Sequence, residues 1–205
     1  MANTLRYNNT IPGNIYYNNA KVQNVYYNNT KVWSSRPPVT GDLVVGNIVT
    51  FDNKTWRVVH NTGNQWYLGL SVVSLVEEIP FDENGDYYTV PSYSGSTLAN
   101  KCASYLNNFS ANAQSFMQNV TVNGVTAKVF VPSFEQVSGG FSYYNSNDNR
   151  ICDYDQPNAS KAYWWTSSPY LEDTGRSYCV DDIGMFSASY IWDNRGFRPH
   201  ICIIY

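Results

Sequence analysis

The reading of this chain turns on two stretches: YWWTSSPY, residues 163–170, and RGFRPHICIIY, residues 195–205. Trp164, Trp165 and Thr166 make an aromatic and β-branched strand signal, which Pro169 stops because proline cannot donate to a ladder. Phe197 to Tyr205 is almost continuously apolar, the pattern of a strand buried on both faces. On an extended strand Trp164 and Trp165 point to opposite sides, so one is expected in the core and the other at a surface. Gly196 is expected to let the chain turn tightly before the last strand. From the end of the first segment to the start of the second come Tyr170, Glu172, Asp173, Arg176, Tyr178, Asp181, Asp182, Ser187, Ser189, Tyr190, Trp192, Asp193 and Asn194. These side chains offer flat contact area and adaptable hydrogen bonds, with too little apolar periodicity for a core. A rigid frame holding such a display is the pattern of a ligand-binding surface. Tyr178, Tyr190 and Trp192 are its expected anchors.

Working outward, residues 138–160 are polar and aromatic without a period, as expected of a functional loop. VTVNGVTAKVFVP, residues 120–132, predicts a hairpin with Asn123–Gly124 at a type I′ turn. Ser133 and Gln136 have the spacing of a capping box. Ser96 is placed to cap a helix running to about Phe109, with Leu98, Cys102, Tyr105, Leu106 and Phe109 on one face. A second helix, from Ser110 to about Gln118, would bury Ala113, Phe116 and Met117. Residues 77–95 read as an irregular loop. Asn47 to Phe51 and Lys54 to His60 alternate around Asp52–Asn53, a first hairpin, and a third strand is expected from Gln65 to Val73. SSRPPVTGD, residues 34–42, reads as a linker because its proline pair forbids helix.

Before the linker, RYNNTI, YYNNAKV and YYNNTKVW place Tyr7, Tyr17 and Tyr27 ten residues apart, each followed by an Asn pair. Asn–Asn tolerates positive φ and suits a two-residue turn between short strands. So short a unit cannot bury a face alone, so these strands need neighbours in this chain or in other copies. The expected organisation is a β-hairpin leader at 1–33 for attachment or oligomerisation, a linker at 34–42, and a ligand-binding domain at 43–205. Its class is α+β, with two short helices and mostly antiparallel strands.

Of 205 residues, 43% are hydrophobic, enough to fill one core, while only 14% are charged and the net charge is -3. No basic patch points to nucleic acid. No apolar run is long enough to span a membrane as a helix. MANTLRYNNT lacks the pattern of a signal peptide, so a protein acting outside cells would leave by another route, within a virion for example. Cys102, Cys152, Cys179 and Cys202 form no CxxC pair, and no zinc site is expected. Cys102 and Cys202 read as buried thiols, and a Cys152–Cys179 disulfide is one pairing the sequence leaves open.

From Gly46 to Tyr205 the chain resembles C-type-lectin-like domains of unassigned function in gut bacteria and their phages. The resemblance rests on TFDNKTWRVVH, SYLNNF, WWTSSP and RGFRP, in that order. The wider group includes phage tropism determinants and other variable proteins of diversity-generating retroelements, in which a C-terminal stretch is hypervariable on a fixed frame. The resemblance places that variable region between Pro169 and Arg195, and implies a receptor-binding protein of a phage tail or fibre. VYYNNTKVW looks like segments of siphophage tail proteins. The implied partners are a bacterial surface protein or glycan, other tail proteins and further copies of the chain, as in a homotrimer. A purely structural tail or surface protein is the competing reading.

Other chemistry is weighed on its residues. Calcium-dependent lectins use carboxylate and amide oxygens that ligate both the ion and sugar hydroxyls. Here Gln156-Pro157-Asn158 precedes the WWTSSP strand where the lectin loop should follow it, and Trp192-Asp193-Asn194 has the wrong residue order. Asp181–Asp182 and Glu172–Asp173 are adjacent, so on a strand their carboxylates diverge. His60 and His200 have no nucleophile motif beside them. Cys179 and Cys202 lack the local motif of formylglycine-generating enzymes. The expectation is a binding protein that is not an enzyme and has no cofactor or metal. Arg195 and Arg198 are expected to pair with buried carbonyls or with Asp193.

Overall fold

The computed structural model describes residues 15–17, 20–22, 24–27, 30–34, 39–70, 74–76, 92–153, 161–172 and 175–204. The leader contains β1 (Ile15–Tyr17) paired antiparallel with β2 (Ala20–Val22), and β3 (Asn24–Tyr27) paired antiparallel with β4 (Thr30–Ser34). Tyr17 faces Ala20 and Tyr27 faces Thr30, so each strand pair brackets one of the Asn pairs. The repeat around Tyr7 and most of the 77–95 loop lie outside the described residues.

The body begins inside the expected linker, because β5 (Val39–Thr40) pairs with β6 (Ile48–Phe51). Next come β7 (Lys54–Asn61), β8 (Gln65–Gly69) and β9 (Ser74–Val76). Asp52 and Asn53 both have positive φ, 50° and 60°, between Phe51 and Lys54, which face each other across the ladder. Positive φ at both turn residues is type I′ geometry, and the expected hairpin forms around the pair. Helix α1 (Thr97–Tyr105) starts where the Ser96 Oγ accepts the Ala99 N–H at 3.0 Å. A 3₁₀ turn, Leu106–Asn108, brings Phe109 into the core. Helix α2 (Ala111–Gln114) is shorter than expected, yet Ala113, Phe116 and Met117 are buried.

The hairpin of β10 (Val120–Val122) and β11 (Val125–Ala127) closes on Asn123 and Gly124, with φ of 45° and 80°. β12 (Val129–Phe130) follows, and then the capping box, in which Ser133 N–H meets Gln136 Oε1 at 2.8 Å and Gln136 N–H meets Ser133 Oγ at 3.2 Å. The expected 138–160 loop is more ordered than its composition suggests. It holds a π-type turn, a 3₁₀ turn and α3 (Asn147–Arg150), while residues 154–160 lie outside the described part. The last strands are β13 (Trp164–Pro169), β14 (Arg176–Val180), β15 (Phe186–Tyr190), β16 (Arg195–Phe197) and β17 (His200–Ile204).

Two main sheets result. One runs β12-β17-β8-β7-β6-β5 and the other β15-β14-β13-β16-β9. All pairs are antiparallel except β13 with β16. The fold is mixed α+β, mostly antiparallel, with few and short helices.

Three expectations about the framework are corrected. The strand expected from Gln65 to Val73 ends at Gly69, and the chain reappears as β9 in the other sheet. The apolar run from Phe197 to Tyr205 is two strands, because the chain leaves one sheet at Phe197 and joins the other at His200. Gly196 is no turn. It sits within β16, its N–H donating to Tyr163 O at 2.6 Å.

Two apolar clusters flank the second sheet. Trp165, Cys179 and Phe197 belong to the larger, with Phe51, Trp56 and Leu68. Trp164 and Val180 belong to the other, with Phe130, Tyr144 and Ala162. Trp164 and Trp165 do point to opposite sides, but a core lies on each, and both are fully buried. Neither floors a surface site. All four cysteines are buried and free, Cys179 in one cluster and Cys152 in the other, so that pairing is not made. Burial pushes the Cys102 thiol up to about 12 and that of Cys202 up to about 11.

Candidate functional site

β14 and β15 run side by side with Arg176 opposite Tyr190, Tyr178 opposite Ala188, and Val180 opposite Phe186. Alternation puts these six on one face and Ser177, Cys179, Ser187 and Ser189 on the other. At the Val180 end the first face is roofed by the second core. Beyond Phe186 it opens to solvent.

The open part is built from stacked rings. The Arg176 guanidinium lies 4.3 Å from the Tyr190 ring centre, and its Nη2 donates to the Tyr190 hydroxyl at 2.8 Å. Tyr190 stacks on Trp192 with centroids 4.6 Å apart and planes 9° apart. Although stacked, Tyr190 and Trp192 remain 40% and 45% exposed. A second group stands beside them. Phe134 stacks on Tyr178 at 4.1 Å, and Tyr170 meets Tyr178 edge-on at 5.0 Å. Ala188, the smallest side chain on the face, sits across the ladder from Tyr178 and next to Tyr190 on its strand. It leaves a low floor beside the two ring groups. At the rim, the Tyr170 hydroxyl donates to Glu172 at 2.8 Å, and that bond raises the phenol's pKa, with desolvation adding to it. This is a surface of flat, restrained rings with hydroxyl and guanidinium edges, suited to stacking and hydrogen-bonding a polar ligand.

The turn between β14 and β15 is fixed from below. Asp181 Oδ1 accepts from the N–H groups of Ile183 and Met185, at 3.1 and 2.7 Å. Arg150 reaches up from α3, its Nε donating to Gly184 O at 2.8 Å and its guanidinium lying 4.4 Å from the Phe186 ring centre. Gly184 has φ of 77°, and a Cβ there would meet Asn147 O at 1.9 Å, so glycine is required.

Of the residues expected to form the display, the structure brings together Tyr170, Glu172, Arg176, Tyr178, Tyr190 and Trp192. Others are elsewhere. Ser187 and Ser189 face the opposite side, where Ser189 is buried, touches Cys179 Sγ at 3.2 Å and takes the Arg195 Nε hydrogen at 3.1 Å. Their odd offsets from Tyr190, three residues and one, put them there. Asp193 pairs with Arg195 at 3.2 Å, Asp181 is committed to its turn, and Asp182 bonds the Tyr163 hydroxyl and raises its pKa. Asn194 is exposed at the turn into β16. Asp173 lies outside the described residues, as does Gln156-Pro157-Asn158. Arg198 bonds buried carbonyls as expected, Leu70 O at 2.9 Å and Arg150 O at 3.4 Å. Phe134 was not anticipated. Only its neighbours' capping box marks its position, and nothing local ties it to Tyr178.

Among the described residues, no three His, Cys, Asp or Glu side chains gather as a metal site would require, and no helix is long and apolar enough to cross a membrane. No curated protein and no solved structure matches the chain. One family model does, over residues 2–204, nearly the whole length. The chain therefore belongs to the DUF6273 family, described as a domain of unknown function.

Proposed function

We propose that the chain is a non-enzymatic ligand-binding protein whose contact surface is the open ring face of β14 and β15, with Tyr170, Trp192 and Phe134. The observation that carries this reading is the exposed Arg176–Tyr190–Trp192 stack. Apolar rings of this size are normally covered, and here they are held rigid without being buried. Rings fixed before binding lose little conformational freedom on contact, which favours them as anchors. The frame in this proposal is C-type-lectin-like. The order of WWTSSP and RGFRP supports it, as does the position of β13 in the sheet, between β14 and β16.

The setting proposed is a phage tail tip or fibre, with a protein or glycan of a bacterial surface as ligand and the segment 163–198 as the diversified part. The leader supports an assembled state. Each of its strand pairs is two-stranded among the described residues, and an isolated two-stranded hairpin is marginal in water. Joined copies would also multiply a weak single-site affinity.

The test is adsorption of the purified, fluorescently labelled chain to a panel of gut bacterial cells, with and without EDTA. Selective staining that survives EDTA is expected. Staining lost with EDTA would favour a calcium-dependent lectin. Absence of staining on every strain, with the protein folded, would favour a structural role.

A further inference from the structure

The chain crosses between its two sheets at Leu70 and again at Arg198–Pro199, and the crossings are tied by Leu70 N–H to Pro199 O at 3.1 Å. Beside them is a cleft of about 440 Å³, whose lining includes Lys54, Arg57, Tyr105, Tyr143, Asp153 and Arg198. None of these belongs to the ring face. We propose that this cleft is a second binding site, for a small ligand carrying an oxoanion, a carboxylate or a phosphate group.

Charge is the first argument. Three cations line the cleft against one carboxylate, and Asp153 is already held by Lys161 at 2.7 Å. No carboxylate among the described residues pairs with Lys54, Arg57 or Arg198. Their hydrogen bonds go to backbone oxygens instead: Lys54 to Asn108 O at 2.8 Å, Arg57 to Gly46 O at 2.6 Å, Arg198 to Leu70 O and Arg150 O.

Burial is the second. Arg198 is only 4% exposed, and its guanidinium is packed 4.8 Å from the Trp164 ring centre and 5.2 Å from that of Tyr144. A buried cation with no counter-charge is costly unless something compensates it. Its Nε and Nη1 make those carbonyl bonds, its Nη2 makes none among the described residues, and the residue lines the cleft. An arginine held by rings and carbonyls, with donors left over, is preorganised for a carboxylate or phosphate. Arg57 adds a second forked donor, and Lys54 a point charge. The volume is within the range of small-molecule pockets.

The experiment is an NMR titration of the full chain with inorganic phosphate and, separately, with glucuronate, against sodium chloride at matched ionic strength. It reads the arginine Nε–Hε signals and the amides of Gly69 and Leu70. A saturable shift of the Arg198 signal with at least one anion is expected. It should need about tenfold more anion in Lys54→Gln, and also in Arg57→Lys, which keeps the charge and loses the fork. Saturation by phosphate alone assigns a phosphate ligand, and by glucuronate alone a carboxylate. No saturable shift with either anion, or shifts unchanged in both variants, would overturn the proposal.

Discussion

His200 shows how one buried side chain organises its surroundings. Its Nδ1 is 3.1 Å from Arg198 O, and a carbonyl can only accept, so Nδ1 carries the proton. Nε2 is then the acceptor for the Tyr144 hydroxyl at 2.7 Å. Burial, and after it the Arg198 charge, hold the imidazole well below its ordinary pKa. The unfolded chain has an ordinary histidine titrating near 6.5. Above that pH both states are neutral. Below it the unfolded state takes a proton that the folded state refuses, so stability falls as pH falls, by up to about 1.4 kcal/mol per pH unit per histidine. Burial lowers His60 in the same direction. Urea unfolding at pH 7.5 and 5.5 should therefore show a loss that His200→Gln reduces but does not abolish. Gly69 lies against this histidine, and a Cβ there would come within 2.8 Å of His200 Nε2 and 3.1 Å of the Tyr144 hydroxyl. Gly69→Ala should lower the midpoint by an amount equivalent to about 1–3 kcal/mol.

Among the elements, those set by local chemistry were legible in the sequence. Asp52–Asn53, Asn123–Gly124, the Ser96 cap and the Ser133–Gln136 box each depend on a few neighbouring residues, and each formed. What could not be read locally was which sheet a strand joins. Phe197 and Ile201–Ile204 are apolar on either side of Arg198–Pro199, and the two sides pair with β9 and with β8, both distant in sequence. The ring face was half legible for the same reason. Its tyrosines and Trp192 stand out in the sequence, whereas the sorting of Ser187 and Ser189 away from them required the β14–β15 register, and that of Asp193 its pairing with Arg195. Long-range ties also explain Asp52. Its carboxylate accepts from Ser110 N–H at 2.8 Å and Ser110 Oγ at 2.7 Å, docking the β6–β7 turn on the start of α2. Asp52→Ala should cost about 1–2 kcal/mol in chemical unfolding, through a lost tie between elements with no core side chain removed.

At the scale of the molecule, the second sheet divides the labour. Its two faces are anchored in separate apolar clusters at one end, and at the other end one face is left open with its rings in place. The four buried thiols belong to the frame. They should react with a thiol reagent only as the protein unfolds, and all four should then be found free without prior reduction. A native protein with two thiols missing from that count would contain a disulfide. The claim that the ring face binds is tested most directly by comparing two variants on bacterial cells stained by the unaltered protein. One variant carries Tyr178→Ala, Tyr190→Ala and Trp192→Ala; the other carries Ser187→Ala, on the opposite face of β15, and Asp193→Ala, in the turn before β16. Loss of staining in the first with retention in the second is the expected result. Staining that survives the first and disappears in the second, with both variants folded, would contradict it.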